Sequence, residues 1–209
     1  MNTSLSKGQI HFIKELHQKE GRNKHGLFLV EGAKMIEELL ASNFMIHSIY
    51  HTSDYILPNS SIKTDVIKVS QRELDRISSL TTPNKVLALV KIPEMDEILS
   101  GKVIFCCNIQ DPGNAGTIIR IADWFGINSV FFSTGSVDVF SSKVVQSTMG
   151  SIFRVNCFFN SGNDTLINFK KNGYKVYAAD MHGKSLNEIT FNPKAVLVLG
   201  SESHGVLKE

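Results

Sequence analysis

One asparagine and one arginine stand close together in the chain, directly after a run of apolar side chains. Residues 108–116 read Asn-Ile-Gln-Asp-Pro-Gly-Asn-Ala-Gly, and Arg120 follows a short apolar stretch. A guanidinium binds phosphates and orients hydroxyl groups, and a neighbouring amide supports it by hydrogen bonding. Such side chains at a strand–loop–helix corner predict a ligand site in an α/β domain.

The same residues also fit a purely structural interpretation. Asp-Pro-Gly is a common turn, Asn114 is a favoured helix cap, and a helical arginine is often a solvated surface charge. The segment lacks the Gly-Lys-Ser/Thr of a phosphate-binding loop and the third glycine of the dinucleotide fingerprint. A dinucleotide-dependent oxidoreductase is therefore a distant alternative, and the local pattern alone fits either a site or a turn.

The elements that must position this corner lie in the second half of the chain. Apolar runs predict strands at 103–107, 129–133, 154–158, 175–179 and 195–199, with helices at 116–125, 142–149 and 164–172. Strands separated by single helices predict an α/β domain with a mostly parallel sheet, spanning residues 101–209.

The first half reads as a separate α/β domain of residues 1–93. A helical pattern covers 9–20 and is expected to end at Gly21, and a second helix is expected to open at residues 31–32 and run to 40. Strands are predicted at 27–30, 46–51, 66–69 and 86–90, with a short helix at 71–78. Residues 93–101 are the expected junction.

Charge, cysteine spacing and the length of apolar runs limit the classes of protein to which the chain can belong. The net charge is +2, so any affinity for RNA must come from where the cations lie. Cys106, Cys107 and Cys157 lack metal-ligand spacing and predict reduced core thiols. No apolar run is long enough to span a bilayer, and the polar start lacks a signal-peptide core. We therefore expect a soluble, cytoplasmic protein.

Three segments, in the right order, resemble the SpoU (TrmH-like) branch of the SPOUT RNA methyltransferases. Residues 108–122 resemble its first motif, Asn-x-x-Asp-Pro-x-Asn-x-Gly-x-x-x-Arg-x-Ala. Residues 147–155 resemble its Ser-x-Gly-Ala/Ser-x-Phe stretch, and residues 196–206 resemble its second motif, a strand running into Gly-x-Glu-x-x-Gly. The first domain, at residues 28–32, resembles the ribosomal-protein-L30e-like domain that many SpoU enzymes carry.

This resemblance implies an enzyme that transfers a methyl group from S-adenosylmethionine to a ribose 2′-hydroxyl of ribosomal or transfer RNA. It also implies a SPOUT domain whose C-terminal part forms a deep trefoil knot around the methyl donor. Members of the family generally act as homodimers, with the active site near the subunit interface. The resemblance implies no metal.

The resemblance also assigns roles to individual residues. It makes Arg120 the group that orients the ribose hydroxyl and a neighbouring phosphate, with Asn114 and Glu202 in the same catalytic network. The implied cofactor-binding residues are Leu199, Gly200, Ser201 and Gly205. For an RNA enzyme, the cations expected to bind RNA are Lys14, Arg22, Lys24 and Arg154, although such charges commonly lie on solvated helix faces.

A third motif of the family, a proline-rich turn leading to Ser-Leu-Asn-x-Ser, is absent before residue 209. The resemblance assigns to that motif the last part of the knot, much of the methionine-side pocket and part of the dimer helix. We therefore expect an incomplete knot and a chain that is truncated and inactive as it stands. The alternative is a non-catalytic RNA-binding protein with an incomplete methyltransferase domain.

Overall fold

The computed structural model describes residues 4–58, 64–94, 101–201 and 205–206. The chain divides into two compact units. The first unit comprises Met1–Glu94 together with Phe140–Phe153, and the second comprises Met95–Val139 and Arg154–Glu209. A segment from the second half of the sequence, Phe140–Phe153, is thus grouped with the first unit.

The described helices and strands follow the predicted alternation. The helices are α1 (Lys7–Glu15), α2 (Lys19–His25), α3 (Ala33–Leu40), α4 (Gln71–Ile77), α5 (Pro112–Trp124), α6 (Ser142–Ser147) and α7 (Asn163–Lys171). The strands are β1 (Leu27–Glu31), β2 (Ile46–His51), β3 (Asp65–Lys68), β4 (Val86–Lys91), β5 (Lys102–Cys106), β6 (Ser129–Ser133), β7 (Asn156–Ser161), β8 (Lys175–Ala178) and β9 (Ala195–Leu199). Short 3₁₀ turns lie at Ser151–Phe153 and Leu186–Glu188.

The first unit contains a mixed four-stranded sheet in the order β1-β4-β2-β3. Strand β4 is antiparallel to both β1 and β2, whereas β3 is parallel to β2. Strands β1 and β4 are buried along almost their whole length, which matches their continuous apolar sequences.

The helix predicted for residues 9–20 is two helices, and Gly21 lies inside the second one. The break is stabilised by Arg22, whose NH1 donates to the carbonyl oxygens of Leu16 at 2.8 Å and His17 at 2.9 Å. These carbonyls lie at the end of α1, where backbone acceptors have no partner within the helix. The expectation that Gly21 ends the first helix was therefore wrong.

The segment Phe140–Phe153 contributes to the core of the first unit. The ring of Phe140 packs on Phe28 with centroids 4.8 Å apart, and that of Phe153 packs edge-on against Phe44 at 5.3 Å. In addition, Nε2 of Gln146 donates to the backbone carbonyl oxygen of Glu31 at 2.7 Å. The first unit is therefore completed by residues remote from it in sequence.

The second unit contains a five-stranded sheet in the order β7-β6-β5-β9-β8, and every strand pair in it is parallel. This confirms the predicted mostly parallel α/β sheet. Helix α5 begins at Pro112, four residues earlier than predicted, because Asp111 caps it and Pro112 is well suited to the first helical position. Strand β7 begins two residues later than predicted.

The point at which the strand order of the second sheet changes direction, its topological switch point, lies between β5 and β9. From β5 the sheet extends through β6 to β7 on one side, and through β9 to β8 on the other. Ligands of parallel α/β sheets bind at such a switch point, outside the carboxyl ends of the strands. The trefoil knot stays a prediction, since residues 202–204 and 207–209 lie outside the described part of the chain.

None of the helices among the described residues is both long and apolar enough to cross a membrane.

Candidate active site

The two motif segments of the second unit meet at the carboxyl ends of β5 and β9. Cys106 pairs in register with Leu199, and the backbone N–H of Cys107 donates to the carbonyl oxygen of Leu199 at 2.7 Å. The loop that begins at Asn108 and the turn that begins at Gly200 therefore leave the sheet side by side. This edge is the switch point of the sheet, where a ligand is expected.

Helix α5 carries two of the predicted catalytic residues. Its N-cap is Asp111, whose Oδ1 accepts the backbone N–H of Asn114 at 2.8 Å. Asn114 is thus the third residue of the helix and not its cap, so its exposed amide is not used for capping. Asp111 and Pro112 therefore set where the helix begins.

Arg120 lies two turns further along α5 with its side chain exposed. At 3.6 residues per turn, Gly113 and Gly116 lie on the same face of the helix as Arg120. The two glycines therefore leave the part of this face on the N-terminal side of Arg120 without side chains. Asn114 lies roughly 9 Å along the axis and on a different face.

The predicted cofactor-binding residues are Leu199, the last residue of β9, and Gly200, Ser201 and Gly205 in the turn after it. The backbone N–H of Gly205 donates to the carbonyl oxygen of Ser201 at 2.8 Å. A Cβ on Gly200 would stand 2.0 Å from the carbonyl carbon of Gly205, so only glycine fits there. Leu199, Ser201 and Val206 are half-buried around this turn. Glu202 and His204 lie outside the described residues.

A second loop at the same edge was missed by sequence reasoning. The hydroxyl of Ser133, at the end of β6, accepts the backbone N–H of Asn108 at 2.9 Å. Ser136 Oγ accepts the backbone N–H of Ile109 at 3.2 Å. The available signal was a serine at the end of a predicted parallel strand with a second serine three residues later, because such strands end at one edge of the sheet.

The burial of Arg22 contradicts the expectation that it contributes to a phosphate-binding surface. Its side chain is only 4% exposed and donates to the carbonyl oxygens at the end of α1. The sequence pattern of a cationic residue in a basic run is the same whether its side chain faces solvent or binds the carbonyl groups at a helix end. Only the break between α1 and α2, which the sequence did not reveal, distinguishes the two.

The other predicted RNA-binding cations are exposed. Nζ of Lys24 lies 3.4 Å from Oε2 of Glu15. Arg154 pairs with Asp123, with NH2 2.8 Å from Oδ2 and Nε 2.9 Å from the same oxygen. Hydrogen bonding to His25 is the main cause of a lowered pKa of the Glu15 carboxyl, with Lys24 contributing.

The cysteines are free thiols near or within the second sheet. Burial raises the pKa of Cys157 to about 12 and also raises the pKa values of Cys106 and Cys107. Because the thiolate is the nucleophile, these groups are poorly suited to covalent catalysis. Among the described residues, no group of three or more His, Cys, Asp or Glu side chains could hold a metal ion.

Comparison with known sequences identifies the family. The sequence model of the SpoU rRNA methylase family matches residues 101–209, which is more than half of the chain. The chain belongs to the SpoU rRNA methylase family. A second model, the MRM3-like substrate binding domain, matches residues 7–88. The family predicted from the three motifs is confirmed.

Two relatives of this chain are named as ribosomal RNA methyltransferases. The chain is 31% identical to the 23S rRNA (guanosine(2553)-2′-O)-methyltransferase RlmP of Bacillus subtilis, over 92% of this chain and 79% of RlmP. It is 30% identical to the mitochondrial rRNA methyltransferase 3 of Xenopus laevis, over 78% of this chain but only 42% of that longer protein.

Solved structures agree with the SpoU assignment. A TrmH-family protein from Porphyromonas gingivalis superposes with a TM-score of 0.90 at 37% identity, covering 97% of this chain and 83% of that one. The SpoU methyltransferase AviRb from Streptomyces viridochromogenes, solved with AdoMet, superposes with a TM-score of 0.85 at 20% identity, covering 97% and 84%. The AviRb likeness shows the fold alone, and the predicted SPOUT-type α/β fold is confirmed.

Proposed function

We propose that this chain methylates a ribose 2′-hydroxyl of RNA, with S-adenosylmethionine as the methyl donor. The observation that carries the proposal is the meeting of two motif segments at the β5–β9 switch point, with Arg120 exposed on the helix that starts there. The names of RlmP and rRNA methyltransferase 3 point to ribosomal RNA as the substrate.

The turn after β9 fits the adenosine part of S-adenosylmethionine. Gly200 brings the backbone of the turn close together, while Leu199 and Val206 provide half-buried apolar surface beside backbone polar groups. A few polar groups within apolar walls are typical of sites that bind small molecules. When bound, the donor supplies a methyl group on a positively charged sulfur, which is already activated for transfer.

Arg120 acts on the RNA in this proposal. A guanidinium remains protonated, so it donates hydrogen bonds to the ribose oxygen and a neighbouring phosphate and does not serve as a general base. Holding the hydroxyl in the correct orientation supplies most of the rate enhancement, because the methyl donor needs no further activation. With the donor bound, the ribose oxygen would gain the methyl group as the donor's sulfur–carbon bond breaks, and the hydroxyl proton would pass to solvent water. Asn114, on a different face of α5, is assigned to the RNA and not to Arg120.

Substrate RNA is bound through exposed cations. Of the four predicted residues, Lys14, Lys24 and Arg154 stay in the proposal, and Arg22 is removed because it is buried. Lys24 and Arg154 each have a carboxylate partner, which lowers their net attraction for phosphate. We therefore expect Lys14→Ala to weaken RNA binding more than Lys24→Ala. The RNA affinity of the Lys14→Ala variant should also depend less on salt concentration than that of the unaltered protein.

A homodimer is part of the proposal. Three exposed apolar residues lie at the end of α5 and at its C-cap: Ile121, Trp124 and Phe125, which are 46%, 86% and 71% exposed. Such a patch is typical of a surface that a protein partner covers. A second copy would place its own chain beside Arg120, since Trp124 is one helical turn away. Sedimentation velocity should show a dimer that Trp124→Glu dissociates, and a monomeric unaltered protein would refute the proposed homodimer.

We also propose that the protein is located in the cytoplasm.

Replacement of Arg120 by alanine tests the enzymatic proposal against a purely RNA-binding role. Methyl transfer to ribosomal RNA should fall at least a hundredfold, whereas the dissociation constant for RNA should change little. Lys170→Ala, which removes an exposed cation of the same unit on α7, is the control. Unchanged transfer in the Arg120 variant would remove Arg120 from the mechanism. Absence of transfer in the unaltered protein, with RNA binding intact, would favour the non-catalytic alternative.

A further inference from the structure

A tight turn follows β6 and contacts the first loop of the site. It consists of Ser133, Thr134, Gly135 and Ser136, and we call it the serine turn. The backbone N–H of Ser136 donates to the carbonyl oxygen of Ser133 at 3.0 Å, and Gly135 has a φ of +90°. A side chain at position 135 would be strained by this φ and would lie 3.2 Å from Oδ1 of Asn108.

The hydroxyls of the serine turn hold two consecutive peptide groups. Ser133 Oγ accepts the N–H of Asn108 at 2.9 Å, and Ser136 Oγ accepts the N–H of Ile109 at 3.2 Å. The two hydroxyl oxygens are 3.3 Å apart, so one donates to the other. The N–H of Val137 donates to the carbonyl oxygen of Ile109 at 2.8 Å. The loop after β5 is therefore fixed by three hydrogen bonds from one neighbouring segment.

This fixation stabilises an unusual backbone conformation. Asn108 has a φ of +52°, a left-handed conformation that costs most residues other than glycine of the order of 1 kcal/mol and costs asparagine less. Such a conformation persists only where the surroundings impose it. The two serine hydroxyls accept the peptide N–H groups on either side of the Asn108 Cα, and they support this conformation.

The same loop sets where α5 begins. Only Gln110 separates Ile109 from the N-cap Asp111, whose carboxylate accepts the N–H of Asn114. A helix is a rigid element, so a change in its first turn is transmitted to Arg120 two turns later. An error of about 1 Å in the position of a group that orients a substrate can reduce turnover about a hundredfold.

We propose that Ser133 and Ser136 are positioning residues for methyl transfer, acting through the Asn108–Ile109 backbone on α5 and thereby on Arg120. This rests on the proposed function, because it assigns a role relative to the reaction at Arg120. The hydroxyls contact the protein backbone and not the substrate, so the dissociation constants for S-adenosylmethionine and RNA should be largely independent of them.

The test compares alanine and threonine at both positions in the full chain. Ser133→Ala/Ser136→Ala should lower kcat by about ten- to a hundredfold, with both dissociation constants within about twofold of the unaltered protein. Ser133→Thr/Ser136→Thr keeps both hydroxyls and should restore most of the lost kcat. Ser129→Ala, buried at the start of the same strand, is the control and should leave kcat unchanged.

A second comparison separates positioning from a general loss of structure. In an Arg120→Ala background, the two serine-to-alanine changes should lower the residual rate less than twofold, because the group they position is already gone. If the double-alanine protein does not fold, Ser136→Ala alone provides the same comparison with a smaller expected loss.

Three results would overturn the inference: an unchanged kcat, a loss that threonine does not restore, or an equal loss in the Arg120→Ala background. Absence of ribose methylation by the unaltered protein is a different outcome, because it refutes the proposed function itself. Amide hydrogen exchange at Asn108 and Ile109, which should accelerate in the alanine variant, gives a readout independent of activity.

Discussion

Gly200 lies directly against the backbone of Gly205, and a Cβ on Gly200 would stand 2.0 Å from both the carbonyl carbon and the carbonyl oxygen of Gly205. The contact closes the turn that contains Gly200, Ser201 and Gly205, three of the four predicted cofactor-binding residues. Both glycines of the motif thus have a physical role: one permits close approach, and the other adopts a φ of +62°.

Gly200→Ala should therefore open this turn and weaken binding of S-adenosylmethionine at least tenfold. Calorimetric titration measures the effect, and circular dichroism confirms that the fold remains. Gly162→Ala is the matched control, because a Cβ at position 162 would meet no atom within 4 Å and its φ of −98° suits any residue. Equal affinities of the Gly200→Ala and unaltered proteins would show that the turn does not form the cofactor site.

The N-cap of α5, Asp111, should contribute to the stability of the protein. Asp111→Ala removes the acceptor for the N–H of Asn114 and should lower the free energy of unfolding by about 1 kcal/mol. Asn is as good an N-cap as Asp, so Asp111→Asn should keep nearly all the stability. Urea denaturation distinguishes the two, and equal destabilisation by both changes would mean that the negative charge matters more than the cap.

Phe140 tests the grouping of its segment with the first unit. Its ring is buried against Phe28, so Phe140→Ala should lower the free energy of unfolding by about 3–5 kcal/mol. Hydrogen exchange should show the loss of protection in β1, which carries Phe28. Phe159→Ala, with a 41% exposed ring, is the matched control. A loss confined to β5, β6 and β9 would contradict the grouping.

The lowered pKa of the Glu73 carboxyl makes the free energy of unfolding depend on pH. Hydrogen bonds from the Ser70 side chain, the Ser70 backbone and the Leu5 backbone lower its pKa from 4.5 to about 2. Since the pKa is lower in the folded state, the carboxylate stabilises the protein above pH 4.5, and this contribution disappears as the pH falls towards 2.

Glu73→Gln should accordingly destabilise the protein at pH 6 more than at pH 3, measured by urea denaturation at both values. Ser70→Ala removes the first of these hydrogen bonds and should weaken the same pH dependence. A difference between unaltered and Glu73→Gln proteins that stays constant from pH 6 to pH 3 would show that the carboxylate is not responsible.

Much of the fold could be predicted from the sequence because the periodic apolar pattern is local. Strands β6 and β9 have their predicted bounds, and the five strands of the second sheet are parallel as their alternation with helices implied. The break between α1 and α2 was not predictable, since it depends on Arg22 reaching back to carbonyl groups of α1.

The site was predictable only in part. The positions of Arg120 and Gly200 follow from motifs that each lie within one stretch of sequence. The contact of Ser133 with Asn108 joins residues 25 apart, and that of Gln146 with Glu31 joins residues 115 apart. No local pattern encodes such pairs, because they arise from the order of strands in a sheet or the grouping of remote segments.

The most direct measurement is the position of the methyl group in the product. Ribosomal RNA incubated with the protein and isotopically labelled S-adenosylmethionine can be digested to nucleosides and analysed by mass spectrometry. The proposed function predicts the label in a 2′-O-methylated nucleoside, and its loss in the Arg120→Ala variant. Label on a nucleobase, or equal labelling by the Arg120→Ala variant, would contradict it.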